Sequence, residues 1–145
     1  MSPVETVLYP LLRLCRVFTV DLVGAVVFWP VFLVVVGLLA FLLRRAMPQL
    51  RDKLWLLPIL PLAWIAAGLS GVFFASDPDA PIRGGNPGVE NALVFGFVGF
   101  LLAWVLVIYS LRQAKLFAAL FAVTNLYFMA GMSIAAYVEV AGLRP

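Results

Sequence analysis

The chain of 145 residues is 65% hydrophobic and only 12% charged, and its mean hydropathy is +1.11. Soluble domains carry about 25% charged residues, so this composition excludes an ordinary soluble fold and predicts an integral membrane protein. The sequence has no histidine, which removes the commonest general base, haem ligand and metal ligand. Its net charge of +3 comes from basic residues at the ends of apolar runs, which favours lipid head groups over nucleic acid as the partner.

The N-terminus predicts a short amphipathic helix over residues 2–16. Ser2, Pro3 and Glu5 form a capping box with proline at the first helical position, and polar side chains then recur on one face. A helix of this kind lies in the membrane interface, and the stretch does not fit a cleaved signal peptide. Burial is favoured over lipidation for Cys15, the single cysteine.

Four apolar runs are each long enough to cross a hydrocarbon core of roughly 30 Å as a helix. They cover residues 17–43, 54–75, 91–111 and 116–138, and the last holds 23 residues without a charge. The polar stretch 76–90 contains Asn86 and Pro87, which are placed to cap the third helix. Only residues 112–115 separate the third and fourth runs, and we predict a tight hairpin there because one continuous helix would be about 48 residues long.

These runs predict an all-α membrane protein, a four-transmembrane-helix bundle with an N-terminal amphipathic interfacial helix, in one domain covering residues 1–145. Orientation follows from the positions of Lys and Arg, which are retained on the cytoplasmic side. Placing both termini outside puts six basic residues in the cytoplasm, Arg44, Arg45, Arg51, Lys53, Arg112 and Lys115, against four outside, Arg13, Arg16, Arg83 and Arg144. We predict this orientation, in a bacterial inner membrane.

Small residues recur on one face of three of the predicted spans. In lipid such faces let helix backbones approach closely, which supplies packing energy where no hydrophobic effect operates between helices. The candidates are Ala63, Ala67, Gly71 and Ala75 in the second span, Gly96, Gly99 and Ala103 in the third, and Gly131 and Ala135 in the fourth. The pattern leaves open whether these faces pack within one chain or against another chain.

Two polar residues within the spans are candidates for a functional role. Asn125 lies near the middle of the fourth span, where its amide is expected to join helices by hydrogen bonds in preference to lining a substrate path. Asp21 lies near one end of the first span, where pairing with Arg16 or contact with head-group water is favoured over a proton or cation site.

The sequence shows no nucleophile and base pair, metal-ligand set or nucleotide loop, so we predict neither an enzyme nor a bound cofactor. Lipid-compatible helices with close-packing faces favour an accessory or structural subunit of a larger integral membrane complex, whose partners are the bilayer and other membrane subunits. The alternative is a small homo-oligomeric transporter or channel. That function needs ionisable residues or broken helices near the midplane, for which Asp21, Asn125, Glu139 and Pro30 are the available candidates.

Overall fold

The computed structural model describes residues 22–74 and 85–142, and all regular secondary structure in these two segments is helical. The elements are α1 (Leu22–Leu50), a 3₁₀ helix (Arg51–Leu56), α2 (Ile59–Phe73), α3 (Pro87–Ser110) and α4 (Lys115–Val140). The all-α prediction is confirmed for this part of the chain. The predicted interfacial helix at residues 2–16, together with Asp21 and Ala75, lies outside the described residues.

Three helices, α1, α3 and α4, are long and apolar enough to cross a membrane. The fourth, α2, has 15 residues and reaches only about 22 Å at about 1.5 Å per residue, less than a hydrocarbon core of roughly 30 Å. It is shorter than the predicted run 54–75 because residues 54–56 fold into the end of the 3₁₀ helix and a turn precedes Ile59. The count of four spans therefore stays a prediction.

The helix ends follow local chemistry. α1 continues through Arg44, Arg45 and Pro48 to Leu50, beyond the predicted boundary at residue 43, because arginine and glutamine are good helix formers and these positions are largely exposed. At the start of α3, the Asn86 side chain accepts a hydrogen bond from the Val89 N–H at 3.3 Å, with Pro87 in the first turn. After α4, Gly142 has a φ of 66°, the left-handed conformation that commonly ends a helix.

The described helices alternate in direction. α3 and α4 form an antiparallel hairpin around a turn at residues 111–114, where the Ala114 N–H bonds the Leu111 carbonyl at 3.0 Å. α2 and α4 run parallel, since Trp64 lies beside Phe128 and Gly71 lies beside Ala136. α1 is antiparallel to α4, because Phe32 meets Phe128 while the segment just after α1 reaches the α3–α4 turn.

The core lies along α4, which packs against each of the other three helices. Its buried side chains include Phe117, Phe121, Met129 and Ala136, which belong to one hydrophobic cluster. The α2–α4 contact is the most extensive, and at Gly71 it is so close that a Cβ atom would lie 2.6 Å from the Ala136 Cα. α1 contributes least, and most of its described side chains are exposed.

We expect Gly71→Ala to lower the free energy of unfolding by about 1–3 kcal/mol, because the added methyl group meets the Ala136 backbone and forces α2 and α4 apart. The measurement is an SDS titration in mixed micelles, followed by circular dichroism. Gly96→Ala is the matched control, since a Cβ there meets no described atom within 4 Å. Equal losses in the two variants would show that the α2–α4 contact is not the tight one.

Candidate functional site

Asn125 is the one buried polar side chain in the described part of the chain, with 4% of its surface exposed. Its Oδ1 accepts a hydrogen bond from the Trp64 indole N–H of α2 at 3.2 Å. Its amide nitrogen donates to the Phe121 carbonyl, one turn earlier on α4, at 2.8 Å. The amide therefore has a partner at both ends, an arrangement that joins α2 to α4 and fixes the orientation of the Asn125 side chain.

Aromatic rings extend this junction to α1. The Phe128 ring stacks on Trp64 with centroids 5.1 Å apart and planes inclined at 26°. The same Phe128 ring meets Phe32 of α1 edge to face at 5.7 Å. Aromatic contacts of this kind add about 0.5–1.5 kcal/mol beyond the area that they bury. Phe128 of α4 thus contacts aromatic rings of both α1 and α2.

A second tryptophan connects α3 to α4. The Trp104 indole N–H donates to the Ala122 carbonyl at 2.9 Å, and Ala122 is buried. The sequence pattern did not predict a hydrogen bond for Trp64 or Trp104. Their location well inside the apolar runs is the signal that favours a buried partner, because an indole N–H in hydrocarbon needs an acceptor.

The small residues divide into two groups. Ala67, Gly71 and Ala135 are buried, and Ala63, Ala103 and Gly131 are half-buried, so these six positions lie in or beside contacts within the chain. Gly96 and Gly99 are exposed, and a Cβ at either position meets no described atom within 4 Å. The structure thus uses the small faces of α2 and α4 internally and leaves Gly96 and Gly99 of α3 open.

Gly96, one of the two open glycines, lines a groove between α2 and α3. This groove has a volume of about 290 Å³ and is lined on one side by small α2 residues and on the other by small and apolar α3 residues, with Met129 of α4 completing it. Among the lining residues are Ala66, Ser70, Ala92 and Gly96. The Ser70 hydroxyl donates to the Ala66 carbonyl at 2.9 Å, so its hydrogen bond is made within its own helix. The walls of the groove are therefore apolar and formed largely by small side chains, which allows another helix to approach closely.

The charges of the described residues are separated along the bundle. All six lysines and arginines lie at the end formed by the last turns of α1, the 3₁₀ helix and the α3–α4 turn. The Lys53 ammonium group ties the two basic segments together by donating to the Ser110 carbonyl at 2.8 Å. Glu90 and Glu139 lie at the opposite end, and Asp52 is the one described acid at the basic end. We name this part of the molecule, residues 44–53 with 112–115, the basic end.

Within residues 22–74 and 85–142, no group of three His, Cys, Asp or Glu side chains is placed to hold a metal ion. No protein-family model matches the chain, and neither a curated protein nor a solved structure is significantly similar to it.

A double-mutant cycle on Trp64→Phe and Asn125→Leu tests the buried pair. Trp64→Phe keeps an aromatic ring at this position and removes the N–H that reaches Asn125. We expect a coupling free energy of about 0.6 kcal/mol and at most about 1.7 kcal/mol, the range found for hydrogen bonds between membrane helices. The free energies come from unfolding in SDS mixed micelles.

The control cycle pairs Trp104→Phe with Asn125→Leu. Trp104 bonds Ala122 and not Asn125, so this coupling should be near zero. A coupling in the control cycle as large as in the Trp64 cycle would contradict the specific hydrogen bond.

Proposed function

We propose that the chain is an accessory, structural subunit of a larger integral membrane complex. The observation that carries this proposal is the open glycine face of α3, where a Cβ at Gly96 or Gly99 meets no described atom within 4 Å and Gly96 lines the α2–α3 groove. Association of helices in lipid depends on close packing, because lipid chains are as apolar as the side chains they replace. An exposed glycine pair provides the surface at which a further transmembrane helix comes nearest to the backbone.

The contact between α2 and α4 shows how such a face is used in this protein. At Gly71 the missing side chain lets Ala136 approach until the two backbones nearly touch. Gly96 and Gly99 offer the same absence of side chain on α3, but no described atom occupies the space. A partner helix with a small-residue face of its own would complete the contact in the same way.

The use of the buried amide also supports a packing role. A transporter would need its midplane polar groups turned toward a path for the solute. Both ends of the Asn125 amide are instead hydrogen bonded within the chain. The oxygen accepts from Trp64, and the nitrogen donates to the Phe121 carbonyl. In the described bundle, the polar side chain at mid-depth therefore joins helices to each other. A structural subunit requires such contacts between helices.

The location that accompanies this function is an integral membrane position, in the bacterial inner membrane, with both chain termini outside. Four spans are part of the proposal, and the shorter crossing is the one that contains α2. The basic end is then cytoplasmic, since Lys and Arg are retained on that side.

We expect Gly96→Leu and Gly99→Leu to release the chain from its complex while leaving the fold intact. Each leucine occupies the space that a partner helix needs, and neither meets a described atom of its own chain at the Cβ position. The measurement is extraction of the tagged protein in mild detergent, followed by native electrophoresis and identification of the co-migrating chains. Circular dichroism of the released chain checks the fold.

Val105→Leu is the matched control for this experiment. Val105 is exposed on the opposite side of α3 from the glycines, so it also gains bulk on the surface of the helix. Unchanged assembly in both glycine variants would contradict the proposed contact. Solute flux through the purified chain in liposomes, abolished by Asn125→Leu, would replace the subunit proposal with the transporter alternative.

Side-specific labelling tests the orientation. In a Cys15→Ser background, Gln49→Cys and Gln113→Cys should react from the same side, because the Lys53–Ser110 hydrogen bond holds their segments together. Gly88→Cys, near the start of α3, should react from the opposite side. We expect the first two sites to face the cytoplasm, and labelling of Gln49→Cys from outside intact cells would contradict that orientation.

A further inference from the structure

The basic end collects charge that is dispersed in the sequence. Its six cations come from residues 44–53 and 112–115, which are separated by about 60 residues of chain, and Asp52 is the one acid among them. The opposite end of the described bundle carries only the acids Glu90 and Glu139. The fold therefore converts a modest excess of basic residues into a strongly cationic surface at one end.

Arg44, Arg112 and Lys115 each lie at one end of an uncharged helical stretch, and the three stretches are of similar length. Before Arg44 there are 22 uncharged residues back to Leu22, before Arg112 there are 21 back to Asn91, and after Lys115 there are 23 up to Val138. At about 1.5 Å per residue these stretches measure about 32 to 35 Å, which just exceeds a hydrocarbon core of roughly 30 Å. Each helix therefore presents its cation immediately beyond the hydrocarbon, in the layer that contains lipid phosphates.

The cations are available to a ligand. Arg44, Arg45, Arg51 and Lys115 are exposed, and within the part of the chain that the structure describes no ion pair neutralises them. Arg112 is exposed as well and is held in place by Tyr109, because its guanidinium lies 4.5 Å from the centre of that ring and donates to the hydroxyl at 2.7 Å.

Aromatic side chains of the kind found in head-group layers lie at the same level. Trp55 lies within the 3₁₀ helix, two residues after Lys53, and is 68% exposed, and Tyr109, next to the α3–α4 turn, is 63% exposed. Tryptophan and tyrosine are enriched at the membrane–water boundary, where the ring contacts acyl chains and the polar group reaches head groups. Trp55 and Tyr109 therefore provide side chains of the type that contacts lipid head groups.

The scaffold beneath the cations is rigid. Leu50, Leu60 and Leu111 are fully buried and belong to the same hydrophobic cluster, and they come from α1, α2 and the α3–α4 turn. Lys53 adds its bond to the Ser110 carbonyl across the same region. Packing thus holds together the backbone segments that carry the arginines.

We propose that the basic end is a binding surface for anionic phospholipids, which it recognises by their phosphate groups. The charge and depth of the surface carry this inference, and it does not depend on whether a partner subunit occupies the α3 face. Each Lys or Arg near an anionic membrane surface contributes about a fivefold gain in affinity. An array of cations around the bundle therefore selects phosphatidylglycerol over the zwitterionic phosphatidylcholine.

The test is native mass spectrometry of the full chain in neutral detergent, titrated separately with phosphatidylglycerol and phosphatidylcholine. We expect at least tenfold tighter binding of phosphatidylglycerol. The triple variant Arg44→Gln, Arg45→Gln, Arg51→Gln should weaken that binding on the order of 100-fold, because three charges are lost. It leaves Arg112 and Lys53, which make contacts within the chain, in place.

The matched control replaces the same three arginines with lysine, which keeps the charge, and should retain the preference for phosphatidylglycerol. Thermal unfolding in phosphatidylcholine micelles should be the same for both triple variants, which shows that the fold is preserved. Equal affinity for the two lipids, or an unchanged affinity in the glutamine variant, would overturn the proposal. Displacement of phosphatidylglycerol by inorganic phosphate or by a polyglutamate peptide at equal concentration would also overturn it, since the surface would then bind free anions or acidic proteins.

Discussion

The close approach of α2 to α4 determines the arrangement of the other helices. These two helices are separated in sequence by the whole of α3, and they run parallel with Gly71 against Ala136. The same contact brings the Trp64 N–H within reach of Asn125, so an amide that would be costly alone in hydrocarbon is hydrogen bonded at both its oxygen and its nitrogen. Phe128, one turn further along α4, then receives α1 through Phe32. α3 packs on the remaining side through the turn and Trp104.

The interactions within the bundle leave two surfaces of different chemistry. One is the α3 face around Gly96 and Gly99. It carries no charge, and the absence of side chains at the two glycines lets another helix approach closely. The other is the basic end, which has charge and exposed aromatic rings and suits lipid head groups. They lie on the side and at the end of the bundle, so a partner helix and a lipid layer can contact the protein together. A subunit that stabilises an assembly in a membrane needs both kinds of surface.

The weak attachment of α1 fits this arrangement. Most of its described surface is exposed, and a Cβ at Gly37 meets no described atom within 4 Å. In water such an apolar helix would be unstable, but in a bilayer its surface is solvated by lipid chains, and only the stripe that meets α4 has to pack. α1 packs into the core at its C-terminal end, where Leu50 is fully buried next to the basic segments.

The sequence alone predicted the helical class and the presence of helices long and apolar enough to cross a membrane, because these follow from apolar length, capping residues and charge positions that are local in the chain. The signal at Asn86 and Pro87 for the start of α3 is an example. Which small residues pack internally was decided only by the tertiary structure, because Gly71 and Gly96 have the same local pattern and differ only in what lies opposite. The Trp64–Asn125 bond and the gathering of six cations at one end likewise join residues about 60 positions apart, a distance over which local sequence pattern carries no information about which residues will meet.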